Sequence, residues 1–340
     1  IGLCAEANYA QFAGVPQVHM GSWYDPYARS TTDNYEALSH SKQGPVSLIM
    51  GPWTHGARSV THAGDVDLGP LSILDSNLDR DYNHLRLRFF DRWLKGIENG
   101  WEDEPRVRIF TMGGGSGRRN SHRRLEHGGS WRAEQEWPLA RARNTAFYLQ
   151  PAGGLSTQAP QGSSPPSRYL FDPARPVPTI GGNISSGAPI MEPGGFDQKE
   201  TPEFFGCRPP YLPLATRLDV LPFQTDPLPE DLEITGPISV RLWIESSAVD
   251  TDFTAKLLDV YPPSNDYPEG YALNLADGIL RAKFRNSWER PELMEPGTVY
   301  PVTVQLLPIS NLFVQGHRIR VDISSSNFPR FDVNGNTGEN

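Results

Sequence analysis

Cysteine is nearly absent from this sequence: Cys4 and Cys207 are the only two among 340 residues. Two sulfurs so far apart are too few for a disulfide framework or a thiolate metal site, and they leave the redox compartment unread. No apolar run approaches the length that a membrane-spanning helix needs, so no membrane partner is expected. An excess of positive charge is lacking as well. The formal charge of −9 repels a phosphate backbone, which argues against a nucleic-acid partner. A starting Met and a signal peptide are also missing; Ile1 opens mid-phrase, and the expectation is a piece of something longer. Localisation stays unknown.

What is abundant is Pro and Gly, 32 of each, without a collagen-like period. That composition points to a loop-rich, turn-rich protein with much β structure. The length suits two ordinary domains, each able to bury its own core. One basic stretch stands out, Arg118, Arg119, Arg123 and Arg124 between glycine clusters. With no aromatic residue interleaved, it reads as a solvated loop rather than an anion site.

The first hundred residues alternate strand and helix. Val15 to Met20 is a β-type run broken by Asp25-Pro26. A helical pattern follows through Tyr35 and Leu38, with Thr31, Thr32 or Asp33 as its expected N-cap. Gly44-Pro45 closes it. Val46, Leu48, Ile49 and Met50 then make a buried strand, expected to end at Gly51-Pro52. A strand–helix–strand unit of this kind places its strands parallel. Tyr82, Leu85, Phe89, Trp93 and Ile97 repeat at helical spacing, with Phe90 and Leu94 widening the stripe, Asp79 and Asp81 at its start and Gly100 as its stop. The stripe reads as core packing.

From about Arg106 the pattern changes to short alternating strands: Val107 and Ile109, Phe147 and Leu149, Val240 to Ile244, Val299 to Leu306, and Ile319, Val321 and Ile323. No convincing helical stripe follows Gly100, and the half reads as a jelly-roll β-sandwich. Gly113 to Ser130 and Pro151 to Pro166 are expected surface loops. No internal repeat is found. The fold expectation is therefore α/β plus all-β, with residues 1–104 the C-terminal part of an α/β-hydrolase domain and residues 105–340 a jelly-roll sandwich. Two parallel strands cannot make a stable sheet alone, so partner strands are expected upstream.

In an open α/β sheet, functional residues gather at the carboxyl ends of the strands. Asp25 follows the first strand and His55 the second. A carboxylate there can accept a hydrogen bond from imidazole Nδ1 and fix the tautomer in which Nε2 takes a proton from a hydroxyl. In α/β-hydrolases the order is Ser, then Asp or Glu, then His, and these two match the last two places. Asp before Pro is also a common turn starter, and a His after Gly-Pro-Trp can simply fill a loop. Paired at matching strand ends, they favour the catalytic reading.

Gly21-Ser22-Trp23-Tyr24-Asp25 and Gly51-Pro52-Trp53-Thr54-His55-Gly56 resemble the acid and histidine motifs of the cocaine esterase family, which includes X-prolyl dipeptidyl aminopeptidases and α-amino acid ester hydrolases. The likeness continues through Gly64 to Gly69, Phe89 to Gly96 and Val107 to Gly113, and ends with Ser326-Asn327-Phe328-Pro329-Arg330-Phe331-Asp332. It implies Asp25 as triad acid, His55 as general base and a C-terminal jelly roll. The family's Gly-x-Ser-Tyr-x-Gly nucleophile elbow has no counterpart here. Gly114-Gly115-Ser116-Gly117-Arg118 fails its spacing. The family's oxyanion donors and helical cap are also missing, and further strands are expected after Gly338.

His62, Asp65 and Asp67 fit no defined ligand pattern and read as a turn, so no metal is expected. His84 and His317 read as structural and His19 as a satisfied core residue. Trp23, Tyr24 and Trp53 either line a substrate pocket or brace the loops. The functional expectation is a portion of a serine esterase, amidase or dipeptidyl-peptidase-like enzyme acting through an acyl-enzyme, requiring neither metal nor organic cofactor. Its expected partners are a small ester, amide or peptide substrate and an upstream hydrolase segment of the same protein, with a homo-oligomer possible; alone it should be inactive. The alternative is a non-catalytic β-sandwich module recognising carbohydrate or protein.

Overall fold

The computed structural model describes residues 4–41 and 44–339; Ile1, where the sequence opens, lies outside them. Strand β1 (Gln17–Tyr24), helix α1 (Ala28–Ser41) and strand β2 (Val46–Thr54) form a strand–helix–strand unit. β1 and β2 run parallel, aligned from Gln17 opposite Val46 to Ser22 opposite Gly51.

Helix α1 starts ahead of its expected caps at Thr31, Thr32 and Asp33. Asp25-Pro26 begins the helix rather than only breaking the strand. Asp25 Oδ1 accepts from the Tyr27 N–H at 2.8 Å, and the Asp25 carbonyl accepts from the Ala28 N–H at 3.1 Å. Proline's fixed φ suits a helix entry, and its missing N–H is no loss there. Thr32 consequently sits inside the helix, its hydroxyl donating back to the Arg29 carbonyl at 2.9 Å.

Strand β2 likewise runs through Gly51-Pro52, where a stop was expected, and ends at Thr54. The ladder absorbs the proline in a register shift between Ser22 and Tyr24, the kind of irregularity that tolerates a missing strand N–H. Glycine is required at 51, because an added Cβ would stand 2.4 Å from the folded-back Trp53 ring. β2 is buried on both faces. Leu48 and Met50 join one core with Ala28 and Tyr35 of α1, while Ile49 joins another with Leu74, Trp53 and Trp101. A parallel strand covered on both sides needs this near-continuous apolar run.

The Ile49 side is covered by helix α2 (Tyr82–Lys95), through Leu85 and the half-buried Tyr82, Phe89 and Trp93. Asp81 caps it, accepting from the His84 N–H at 2.8 Å. It stops at Gly96, whose φ of 70° makes a left-handed cap, not at Gly100. The apolar stripe is narrower than its spacing suggests. Phe90 is 44% and Leu94 78% exposed, and Ile97 lies past the helix end. Two-residue strands β3 (His62–Ala63) and β4 (Val66–Asp67) pair between β2 and α2.

Strand β5 (Val107–Gly113) lies past the expected boundary at 104/105, yet it pairs parallel with β2, from Val107 opposite Leu48 to Ile109 opposite Met50. The segment read as one loop from Gly113 to Ser130 contains β6 (Leu125–Glu126) and the start of β7 (Gly129–Glu134), the latter antiparallel to β5. β8 (Tyr148–Leu149) and β9 (Leu155–Ser156) make a small hairpin. Then follow β10 (Val220–Gln224), β11 (Leu232–Gly236), β12 (Ser239–Ile244), β13 (Asp252–Tyr261), β14 (Tyr271–Arg281), β15 (Tyr300–Gln305), β16 (Ile309–Phe313) and β17 (Arg318–Ser324). Among the described residues, helical structure after Gly100 is confined to single 3₁₀ turns.

The strands assemble as β1-β2-β5-β16-β11, with β7 also on β5, and as an antiparallel sheet β10-β17-β13-β14; β12 pairs with β15. β16 joins β5 in parallel, so the sheet begun by β1 and β2 continues into strands of the C-terminal half. One apolar core follows it, running from Trp23, Tyr24 and Leu48 through Phe110 to Phe253, Leu273 and Ile323.

Candidate active site

Tyr24 at the end of β1 is aligned with Thr54 at the end of β2. The next residue of each chain is Asp25 and His55, so both leave the sheet at its carboxyl edge. His55 Nδ1 lies 2.8 Å from Asp25 Oδ2. The acid side chain is 7% exposed and the imidazole 53%. The second carboxylate oxygen accepts from the Tyr27 N–H, so the α1 entry turn and the imidazole hold the carboxylate from two sides. With Nδ1–H donated to Asp25, the neutral ring keeps Nε2 free to accept a proton. The Tyr27 ring meets His55 edge-on, with centroids 5.5 Å apart.

The aromatic residues beside the pair brace the loops. Trp23 and Tyr24 are fully buried and Trp53 is 3% exposed. Trp23 Nε1 donates to the Phe110 carbonyl at 2.6 Å, Tyr24 Oη to the Asn274 carbonyl at 3.0 Å, and Trp53 Nε1 to the Ser72 carbonyl at 2.7 Å. Burial pushes the Tyr24 phenol far above the usual tyrosine range, with the Asp259 charge adding to it. It stays a neutral donor.

Asn183 is a neighbour that sequence reasoning missed. It is 1% exposed, and its Nδ2 donates to the Trp23 carbonyl, two residues before Asp25. With 160 residues between them, no local spacing could signal the contact.

The other titratable candidates stand apart from the Asp25–His55 contact. Asp67 closes its turn, with Oδ1 accepting from the Gly69 N–H at 2.8 Å and Oδ2 from Asn120 Nδ2 at 2.6 Å. Among the described residues, no group of three or more His, Cys, Asp or Glu side chains is arranged to hold a metal. Ser116 donates to Glu126 on an exposed loop. His84 pairs with Asp79, and His317 Nδ1 with Asp259 Oδ1 at 2.8 Å. His19 is not the satisfied core residue expected, because its buried Nε2 meets no partner among the described residues; burial lowers its pKa and keeps it neutral. Arg118, Arg119 and Arg123 are exposed. Arg119 nevertheless stacks over Tyr267 at 4.7 Å, an aromatic residue distant in sequence.

Residues 5–57 match the X-Pro dipeptidyl-peptidase (S15 family), and residues 99–340 match the X-Pro dipeptidyl-peptidase C-terminal non-catalytic domain. A cocaine esterase from Rhodococcus sp. (strain MB1 Bresler) is 35% identical over 333 residues, covering 95% of this chain and 50% of the relative. Among solved structures, an α-amino acid ester hydrolase superposes with a TM-score of 0.75 at 26% identity, over 98% of this chain and 52% of that one. An aminopeptidase from a marine sediment Thaumarchaeota archaeon gives 0.71 at 26% identity, over 95% and 49%. The chain spans about half the length of the curated relatives it matches.

Proposed function

Because the chain belongs to the X-Pro dipeptidyl-peptidase family and is similar to a cocaine esterase, we propose that it is the acid- and base-bearing portion of a serine hydrolase acting on an ester, amide or peptide. The observation that carries this reading is the 2.8 Å contact between His55 Nδ1 and Asp25 Oδ2 at the carboxyl ends of two adjacent parallel strands. The nucleophile is a serine supplied from outside this chain, whose sequence holds no Gly-x-Ser-x-Gly elbow. Its hydroxyl attacks the substrate carbonyl while His55 Nε2 takes the proton, giving an acyl-enzyme and passing that proton to the leaving group. Water then cleaves the acyl-enzyme by the same proton route in reverse roles. Asp25 stays ionised throughout, holding the tautomer and stabilising the imidazolium.

In this reading, residues 1–104 complete an α/β-hydrolase domain and residues 105–340 form a jelly roll packed on it. The confinement of α1 and α2 to the first part and the antiparallel sheets of the second support that division. β5 and β16 are then the strands where the two parts meet. A non-catalytic module binding carbohydrate or protein is not favoured by the relatives, whose names are those of esterases and peptidases.

The test joins the chain to the segment encoded ahead of it and follows hydrolysis of nitrophenyl butyrate. The restored protein should turn over, and His55→Ala should abolish that turnover. Activity that tolerates His55→Ala would place the machinery elsewhere.

A further inference from the structure

We infer that Asn183, in the half matched as non-catalytic, is a positioning residue for Asp25. This rests on the acid–base reading above and adds a role for the C-terminal half in the chemistry. Trp23 stands at the register shift of β1, without an aligned partner on β2, and Pro52 brings no N–H to that stretch of ladder. The Asn183 amide donates a hydrogen bond to the Trp23 carbonyl at that point. Asn183 Oδ1 meets no partner among the described residues. Asn183 thus contributes one donated bond to the β1 end, two residues from the carboxylate.

Asn183 is itself fixed from behind. Its neighbour Gly182 exchanges both backbone hydrogen bonds with Gly194, at 2.7 and 2.9 Å. The preceding segment is pinned to the Ser326–Arg330 motif. Ser326 Oγ accepts from the Val177 N–H at 2.9 Å, and the Thr179 N–H donates to the Phe328 carbonyl at 2.7 Å. Arg330 pairs with Asp277, which also accepts from Asn327 Nδ2 at 3.0 Å. The C-terminal motif clamps the loop, the loop presents the Asn183 amide, and the amide fixes the turn that aims Asp25 at His55. A second tie, Tyr24 Oη to the Asn274 carbonyl, holds the same end of β1 from β14.

A misplacement of about 1 Å in a catalytic group costs on the order of 10²-fold in rate. In the nucleophile-bearing protein, Asn183→Ala should therefore lower kcat by about 10- to 100-fold and leave KM within about twofold. A residue acting through Asp25 has nothing left to position once Asp25 is disabled. Asn183→Ala added to Asp25→Asn should then cost no further activity, a non-additivity that a double-mutant cycle reads directly. Asn183→Leu, close in shape but without a donor, repeats the test if the alanine variant fails to fold. An unchanged kcat for the folded variant, or an equal loss in both backgrounds, overturns the inference while leaving the acid–base reading intact. Full activity of Asp25→Asn alone would overturn that reading and this inference together.

Discussion

Asp25 holds His55 through one carboxylate oxygen, at 2.8 Å, and the entry turn of α1 through the other. One side chain therefore sets both the tautomer of the imidazole and the direction in which the chain leaves β1. Substituting either residue in the nucleophile-bearing protein should be severe. Asp25→Asn offers an amide that favours the wrong tautomer and should lower kcat by about 10⁴-fold. His55→Ala removes the proton carrier and should cost at least as much. Single-turnover acylation with a nitrophenyl ester checks both. Loss of less than about tenfold in each would remove the pair from the chemistry.

Acid should unfasten α2 through Asp79. This carboxyl is nearly buried, which by itself raises its pKa, yet hydrogen bonds from His84, Arg88 and the Arg80 backbone outweigh burial and hold it below the usual aspartate value. Arg88 also pairs with Glu104 at 2.9 Å, and Glu104 with Arg108 of β5 at 3.0 Å. Because the folded value is depressed, the stabilisation is present in full above the ordinary carboxylate range. It is lost as pH falls through the folded value. Asp79→Asn should lower stability at neutral pH and flatten the acid side of a plot of denaturation midpoint against pH. A parallel curve for the variant would show that Asp79 contributes no such linkage.

His127 anchors a buried polar chain between the sheets. It is fully buried, with Nδ1 at 2.5 Å from the Tyr261 hydroxyl and Nε2 at 2.9 Å from Asn311 Oδ1. Burial lowers its pKa against the opposing pull of Asp259 and of the Asn311 hydrogen bond, so the folded protein keeps it neutral. Nε2 then donates to Asn311, and Nδ1 accepts from Tyr261. His127→Ala takes the imidazole away from the Tyr261 hydroxyl and from Asn311 Oδ1 in the core and should cost about 2–5 kcal/mol in chemical denaturation. Unfolding exposes a histidine that takes a proton more readily, so stability falls as pH drops below the ordinary histidine value. The alanine variant should lose that part of the slope.

The strand–helix–strand start was legible because its strands are short apolar runs bounded by Gly-Pro and Asp-Pro, and because its helix repeats at a 3.6 period. What escaped was set by partners remote in sequence. The continuation of β2 through Pro52 depends on a register shift against β1. The membership of β5 and β16 in the same parallel sheet depends on pairings across the chain. The exposure of Phe90 and Leu94 cannot be read from spacing, since periodicity marks a face without saying how wide its cover is. Asp25 and His55 could be picked out because strand ends are local features. Asn183 could not, because its contact with the Trp23 carbonyl spans 160 residues of sequence.

Alone, the chain should hydrolyse nitrophenyl acetate no faster than its exposed histidines do as free imidazole. A serine hydrolase needs a nucleophile, a base and donors aimed at the developing oxyanion, and removing a single oxyanion donor already costs about 10²–10³-fold. This sequence carries the pair suited to the base and its orienting acid, and no elbow to present a serine. The half-exposed imidazole of His55 can attack an activated ester slowly, as any imidazole can, and Asp25 gives that attack no oxyanion stabilisation. His55→Ala should therefore lower the chain's own rate by no more than its share among the exposed histidines. Under the proposed function, joining the segment encoded ahead of the chain should raise turnover by several orders of magnitude, because that segment would add nucleophile and oxyanion donors beside His55. Burst kinetics with the nitrophenyl ester separate the two cases: a stoichiometric burst marks an acyl-enzyme, and its absence marks solvent-like imidazole catalysis. A burst from the chain alone that disappears on His55→Ala would reveal a nucleophile within these 340 residues and overturn the division of labour proposed for them.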